Sequence, residues 1–181
     1  MKMKLFKRSL FLIAISLMIG ACSRKPAESP VDVVQKIYSA PNPFRNEKLD
    51  SALFSKDLYQ LITQSKQTEQ KSRETIRMSK APTDKPLLIE GEIFASLYEG
   101  YTGFEVLTTE VIKDTASLSV EFTNQSYQQV WTDTVRLIAV GGTWKLDNVI
   151  YGKASSLPDL QQLLRAFVAA GLQEQLNSAI N

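Results

Sequence analysis

Glu90 and Glu92 stand two positions apart in LLIEGEIF, a spacing that places both carboxylates on one face if the segment is a strand. Two carboxylates held that close resist double ionisation, so one stays protonated while its neighbour is charged, which is the arrangement an acid/base pair needs. The same pair also reads as charge guarding a strand edge. Trp131 and Trp144 are expected to face each other across a hairpin. There they can stack on a planar or sugar ligand, or simply form a cross-strand core contact. Asp133 and Asp147 lie beside them and keep an acid/base reading open. Tyr98, Tyr101 and Phe104, around GYTG, can line a pocket mouth or cover the end of a sheet. The candidate cavity residues are therefore Glu90, Glu92, Tyr98, Tyr101, Trp131, Asp133, Trp144 and Asp147.

Other chemistries are closed off. The chain has no histidine, which removes the usual general base, proton shuttle and commonest metal ligand. Its single cysteine, Cys22, permits no internal disulfide. There is no glycine-rich phosphate loop, no metal-ligand cluster and no nucleophile elbow, so neither a metal nor a cofactor is expected. Asp84, in the proline-bounded APTDKP, is a turn former.

The elements that must position these residues follow from periodicity. Ser29-Pro30 supplies a cap and a first-turn proline for a helix carrying Val31, Val34, Ile37 and Tyr38. Ser55 caps a second helix with Leu58, Leu61 and Ile62 on one face. That helix then turns polar, and Lys66, Lys71, Arg73, Arg77 and Lys80 offer either a basic arm for anionic lipid heads or a partner, or a solvated face. From Leu87 the texture becomes strand-like, first in LLIEGEIF. GFEVLTTEVIK and TASLSVEF follow, turning at Lys113-Asp114, with Ala116, Leu118, Val120 and Phe122 alternating with polar residues. NQSYQQ is a longer loop. VWTDTVRLIAV and TWKLDNVIY form a hairpin on Gly141-Gly142, whose positive φ suits a tight primed turn. In it Trp144, Leu146, Asn148 and Ile150 share a face. A last helix carries the stripe Leu160, Leu163, Leu164, Phe167, Val168 and Leu172. Helices, then about four antiparallel strands, then a helix make an α+β fold.

The N-terminus adds an address. The apolar-and-small run from Leu10 to Ala21 is twelve residues, too short for the roughly 20 a spanning helix needs. Lys2, Lys4, Lys7 and Arg8 precede it, as in a secretory signal. Ile19-Gly20-Ala21-Cys22 closely resembles the lipobox of bacterial lipoprotein signals. That resemblance implies diacylglycerol on the Cys22 sulfur, cleavage before Cys22 and a further acyl chain, such as palmitate, on the freed amino group. Two or more chains hold a protein at a membrane stably. Ser23 after the cysteine is similar to an outer-membrane sorting signal, facing the periplasm or, in some lineages, the cell surface. The expected organisation is a signal peptide over 1–21, a lipidated tether over 22–29 and one domain over 30–181. Four of the 21 Lys and Arg lie before Cys22, leaving 17 against 19 Asp and Glu, a net of −2. That is no footprint for nucleic acid.

Taken with the lipobox and the helix–strand order, the motif W-x-L-D-x-V-x-Y-G (Trp144, Leu146, Asp147, Val149, Tyr151, Gly152) and the leucine-rich helix after it resemble an uncharacterised family of bacterial envelope lipoproteins. The resemblance spans roughly residues 30 to 170 in layout. It implies a nuclear-transport-factor-2-like, cone-shaped α+β domain, a curved antiparallel sheet with helices packed on it, and brings no catalytic residues. The expected function is a lipid-anchored, non-enzymatic protein that binds a partner of an envelope assembly. The alternatives are a lipid, peptide or sugar held in the sheet cavity, and a histidine-free acid/base enzyme.

Overall fold

A computed structural model describes residues 26–39, 42–45, 49–79, 81–152 and 157–180. Cys22, the signal segment and most of the tether lie outside the described residues. Helix α1, Pro30–Ser39, begins at a reciprocal cap. The Ser29 amide donates to Asp32 at 3.0 Å and the Asp32 amide donates to the Ser29 hydroxyl at 3.2 Å. Its inner face buries Val33, Val34, Ile37 and Tyr38. Helix α2, Lys56–Met78, starts where the Leu58 amide donates to Ser55 Oγ at 3.2 Å. Leu58, Leu61 and Ile62 enter the core as expected. The polar half of α2 is only partly a solvated face. Lys71, Arg73 and Arg77 are exposed, yet Ser65, Thr68, Glu69 and Ser72 are buried on the opposite side.

The strands are β1 Gly103–Ile112, β2 Thr115–Asn124, β3 Gln129–Val140 and β4 Thr143–Ile150, in one antiparallel sheet of order β1-β2-β3-β4. Lys113 turns the first hairpin at φ 55°, and Gly141 and Gly142 turn the last at φ 62° and 81°. On β2 the alternation is complete: Ala116, Leu118, Val120 and Phe122 are buried, the intervening residues are not. Trp131, Asp133, Val135 and Leu137 continue that face on β3. Both outer strands carry an extra residue, Leu107 in β1 and Asp147 in β4, and such bulges bend a sheet. The β4 bulge corrects one expectation. Past it the strand's faces exchange, so Val149 joins Trp144 and Leu146 in the core instead of Asn148 and Ile150.

Helix α3, Leu160–Ile180, buries Leu160 and Leu164 against the sheet and half-buries Leu163, Phe167 and Val168. The expected stripe stops there, because Leu172 is exposed. Beyond the sheet α3 packs on α2 instead, through Gly171, where a Cβ would lie 2.1 Å from Thr68 Cγ2. The architecture is α+β, with the helices on one face of an open, curved four-stranded sheet and a single apolar cluster between them.

LLIEGEIF is not a strand. Residues 87–102 form no named strand, because Gly91 turns the chain at φ 73° and the Glu92 amide closes back on the Tyr98 carbonyl at 2.9 Å. The segment is nevertheless deep in the molecule, with Ile89, Ile93, Phe94 and Ala95 all buried.

Candidate functional site

Buried main chain without a ladder must find hydrogen bonds elsewhere, and side chains from several elements supply them to residues 87–101. Ser72 Oγ accepts from the Leu87 amide at 2.8 Å and donates to Glu174 Oε1 at 3.0 Å. Glu69 accepts from the Ile89 amide at 2.7 Å, while Arg45 donates to the Ile89 carbonyl. The Tyr38 and Tyr151 hydroxyls donate to the carbonyls of Phe94, at 2.8 Å, and Ile93, at 2.6 Å. Asn124 Nδ2 donates to the Gly100 carbonyl at 2.7 Å.

Asp133, only 1% exposed, is the junction of this network. Its Oδ1 accepts from Ser96 Oγ at 2.6 Å and the Gly152 amide at 2.8 Å. Its Oδ2 accepts from the Ser96 amide at 2.8 Å and Trp131 Nε1 at 3.1 Å. Four donors fill the four lone-pair positions of a carboxylate, so Asp133 has none left for a substrate proton. Gly152 is required there: a Cβ would sit 1.8 Å from the Thr132 carbonyl oxygen. The terminal W-x-L-D-x-V-x-Y-G motif thus has a physical basis. Trp144, Leu146 and Val149 fill the core, Asp147 is the bulge, Tyr151 ties down Ile93 and Gly152 reaches Asp133.

Glu92 sits at the head of a cleft of about 410 Å³ lined by Tyr38, Asn42, Gly91, Tyr98, Glu99, Gly100 and Tyr101 as well. Its Oε1 accepts from the Ile93 and Phe94 amides at 2.9 and 2.7 Å, and its Oε2 from Asn42 Nδ2 at 3.0 Å. Burial raises its pKa, and these three hydrogen bonds oppose that rise. Tyr101 donates to the Tyr38 carbonyl at 3.1 Å, and burial pushes its hydroxyl pKa up as well. The Tyr38 and Tyr101 rings meet edge to face at 5.6 Å, and both pack on Phe122.

Of the residues singled out from the sequence, the fold therefore brings Glu92, Tyr98 and Tyr101 together. Glu90 does not line this cleft but shares a second recess of about 390 Å³ with Glu92 and Tyr98. It is exposed and pairs with Lys85 at 2.8 Å, so the two glutamates share no strand face. Trp131 and Trp144 do not face each other either. The two-residue turn at Gly141-Gly142 sets Ala139 opposite Trp144, whereas Trp131 lies far along β3, opposite Phe122, and stacks on it at 5.6 Å. Asp147 belongs to another recess, beside Lys56 and Lys145, and its carbonyl accepts from Gln161 Nε2 at 2.8 Å. Asn42, Glu69, Ser72, Ser96 and Gly152 carry much of the network and were not expected to. Only Gly91, a glycine inside a strand-like pattern, gave a local signal of a break.

The two edges of the sheet differ. Along β4, the Ser55 amide donates to the Leu146 carbonyl at 2.7 Å and the Tyr151 amide donates to the Pro158 carbonyl at 3.0 Å. Bridges Phe54–Leu146 and Ile150–Asp159 complete that cover. Beside β1, no strand pairs among the described residues. Leu107, Val111 and Ile112 are 48%, 51% and 58% exposed there.

Among the described residues no three His, Cys, Asp or Glu side chains group to hold a metal ion, and no helix is long and apolar enough to cross a membrane. No family profile and no curated protein matches the chain. Among solved structures, a chain in the crystal structure of the type VI native effector-immunity complex Tae3-Tai3 from Ralstonia pickettii is similar in layout at 14% identity, with a TM-score of 0.36. The match covers 71% of this chain and 98% of that one. Likeness of that degree assigns no function.

Proposed function

We propose that this chain is an exported, lipid-anchored envelope protein that binds a partner protein along the uncovered edge of its sheet and turns over no substrate. The observation that carries the proposal is the contrast between a covered β4 edge and a ten-residue β1 edge exposing three apolar side chains. Unpaired main chain with exposed apolar residues is the surface on which an added strand binds. Glu105 precedes the exposed apolar residues, Glu110 lies among them and Glu121 stands opposite Glu105, so the complementary strand carries apolar residues and Lys or Arg. The acid/base reading is weakened because Asp133 and Glu92 are engaged by donors of the fold itself. Anchoring rests on Ile19-Gly20-Ala21-Cys22 and the basic, apolar segment before it.

Photo-crosslinking in native membranes tests this. A crosslinker at Leu107 is expected to capture one protein in stoichiometric yield, and one at Ala52, beside the covered edge, to capture none. Val111→Lys should abolish capture without moving the unfolding midpoint, and Cys22→Ser should release the protein from the membrane. Equal capture from both positions, or none from Leu107, contradicts the edge.

A further inference from the structure

The cleft headed by Glu92 has a chemistry that the sheet edge does not use. Two carboxylates, Glu92 and Glu99, and the rings of Tyr38, Tyr98 and Tyr101 line it, and among the described residues no Lys or Arg does. Its outer wall is fixed. The Tyr98 ring lies over Gly91, where a Cβ would come within 2.6 Å of Tyr98 Cδ2. Its floor is fixed as well, since Tyr38 and Tyr101 are packed on Phe122. Glu92 accepts three hydrogen bonds from the described residues and a carboxylate has about four acceptor positions, so among these residues one on Oε2 remains. A half-buried carboxylate beside aromatic rings, with Arg45 acting on it only through space, matches the needs of an organic cation. The carboxylates supply the charge, and the rings supply cation–π attraction within about 6 Å. The volume, about 410 Å³, lies within the usual range of ligand sites, about 300–1,000 Å³.

We propose that this cleft binds a guanidinium or ammonium group, with Glu92 and Glu99 as its anionic partners and Tyr98 as its aromatic wall. The group comes from a free small molecule or from an Arg or Lys side chain on a bound partner. The second source rests on the edge reading, since Tyr101 leads directly into β1. Burial, which raises the Glu92 pKa, makes the charge costlier to hold there than in water, and a bound cation offsets that cost.

The test is a titration of the full-length protein in detergent with ethylguanidinium, followed by the amide signals of Gly91 and Gly100. Ethylurea, of equal shape and no charge, is the control. Ethylguanidinium is expected to saturate and ethylurea not to. Glu92→Gln keeps an acceptor for Ile93 and Phe94 and should weaken binding about tenfold. Glu99→Gln and Tyr98→Ala, both at exposed residues, should each weaken it about threefold. Equal response to the two probes, or unchanged affinity in Glu92→Gln and Glu99→Gln, overturns the proposal. A strand-forming peptide bearing one arginine separates the sources. If its affinity exceeds that of ethylguanidinium and Val111→Lys removes the excess, the cation belongs to a partner strand. If the peptide gains nothing, it is a free small molecule. Loss of the peptide's excess alone touches the edge reading, while loss of ethylguanidinium binding alone touches the cleft.

Discussion

The sheet and residues 87–101 bury comparable apolar side chains, but they satisfy their main chain by different means. In β2 and β3 each residue pairs with a neighbour in a continuous register from Thr115–Ile138 to Asn124–Gln129. In the 87–101 segment the partners are Ser72, Glu69, Arg45, Tyr38, Tyr151, Asn124 and Asp133, drawn from helices, strands and turns far apart in sequence. A ladder is redundant, so one weakened rung leaves the rest in place. A side-chain scaffold is not, because each donor or acceptor it loses is left buried without a substitute.

The sharpest break of that contrast is at Asp133. Asp133→Ala removes the shared acceptor of four hydrogen bonds and should cost about 3–5 kcal/mol, read as a fall in the urea midpoint. Next is Gly171→Ala, whose new Cβ meets Thr68 Cγ2 at 2.1 Å. Overpacking of this kind costs about 1–3 kcal/mol. Thr68→Ser removes the offending methyl, so the double variant should regain most of the loss in a double-mutant cycle. Smaller still is a pair on α2. Ser72→Ala strands the Leu87 amide and should cost about 1–2 kcal/mol. Ser65 Oγ, buried with no hydrogen-bond partner among the described residues, gives the opposite sign. Ser65→Ala should raise stability by up to about 1 kcal/mol.

The smallest effect is a pH dependence. The folded chain holds the Glu92 proton at pH values where the unfolded chain, with an ordinary carboxylate near 4.5, has released it. The contribution of Glu92 to stability is therefore full below that value and is lost as pH rises through the raised pKa. Stability curves across the weakly acidic range should fall less steeply with pH in Glu92→Gln than in the parent.

How legible each region was follows the same division. The alternation on β2, the Gly141-Gly142 turn and the caps at Ser29 and Ser55 are local codes, and each could be read directly. The β4 bulge at Asp147 was hidden, because an extra residue shows only against the register of β3. LLIEGEIF carries a strand's composition, and nothing within it tells that its amides are destined for Ser72, Glu69 and Glu92. Among the candidate residues, Glu92, Tyr98 and Tyr101 come together because the segment folds back on itself at Gly91, which meets Tyr98. Asp133 was visible as a carboxylate on the same strand face as Trp131 and Val135, but its role as an acceptor depends on Ser96 and Gly152, which lie on other segments.

Native-state hydrogen exchange tests the central claim most directly, because the same experiment reads the scaffold and both edges. The amides of Ile89, Ile93, Phe94, Ser96 and Gly152 should exchange as slowly as those of Leu118 and Val135 in the sheet, and Asp133→Ala, which removes both oxygens, should release Ser96 and Gly152 most. The β1 amides that are not bonded to β2 should exchange fast, while Ser55 and Tyr151, which cover β4, stay protected. Fast exchange throughout residues 89–96 in the parent protein, or protection along the outer side of β1 in the isolated protein, would contradict the account.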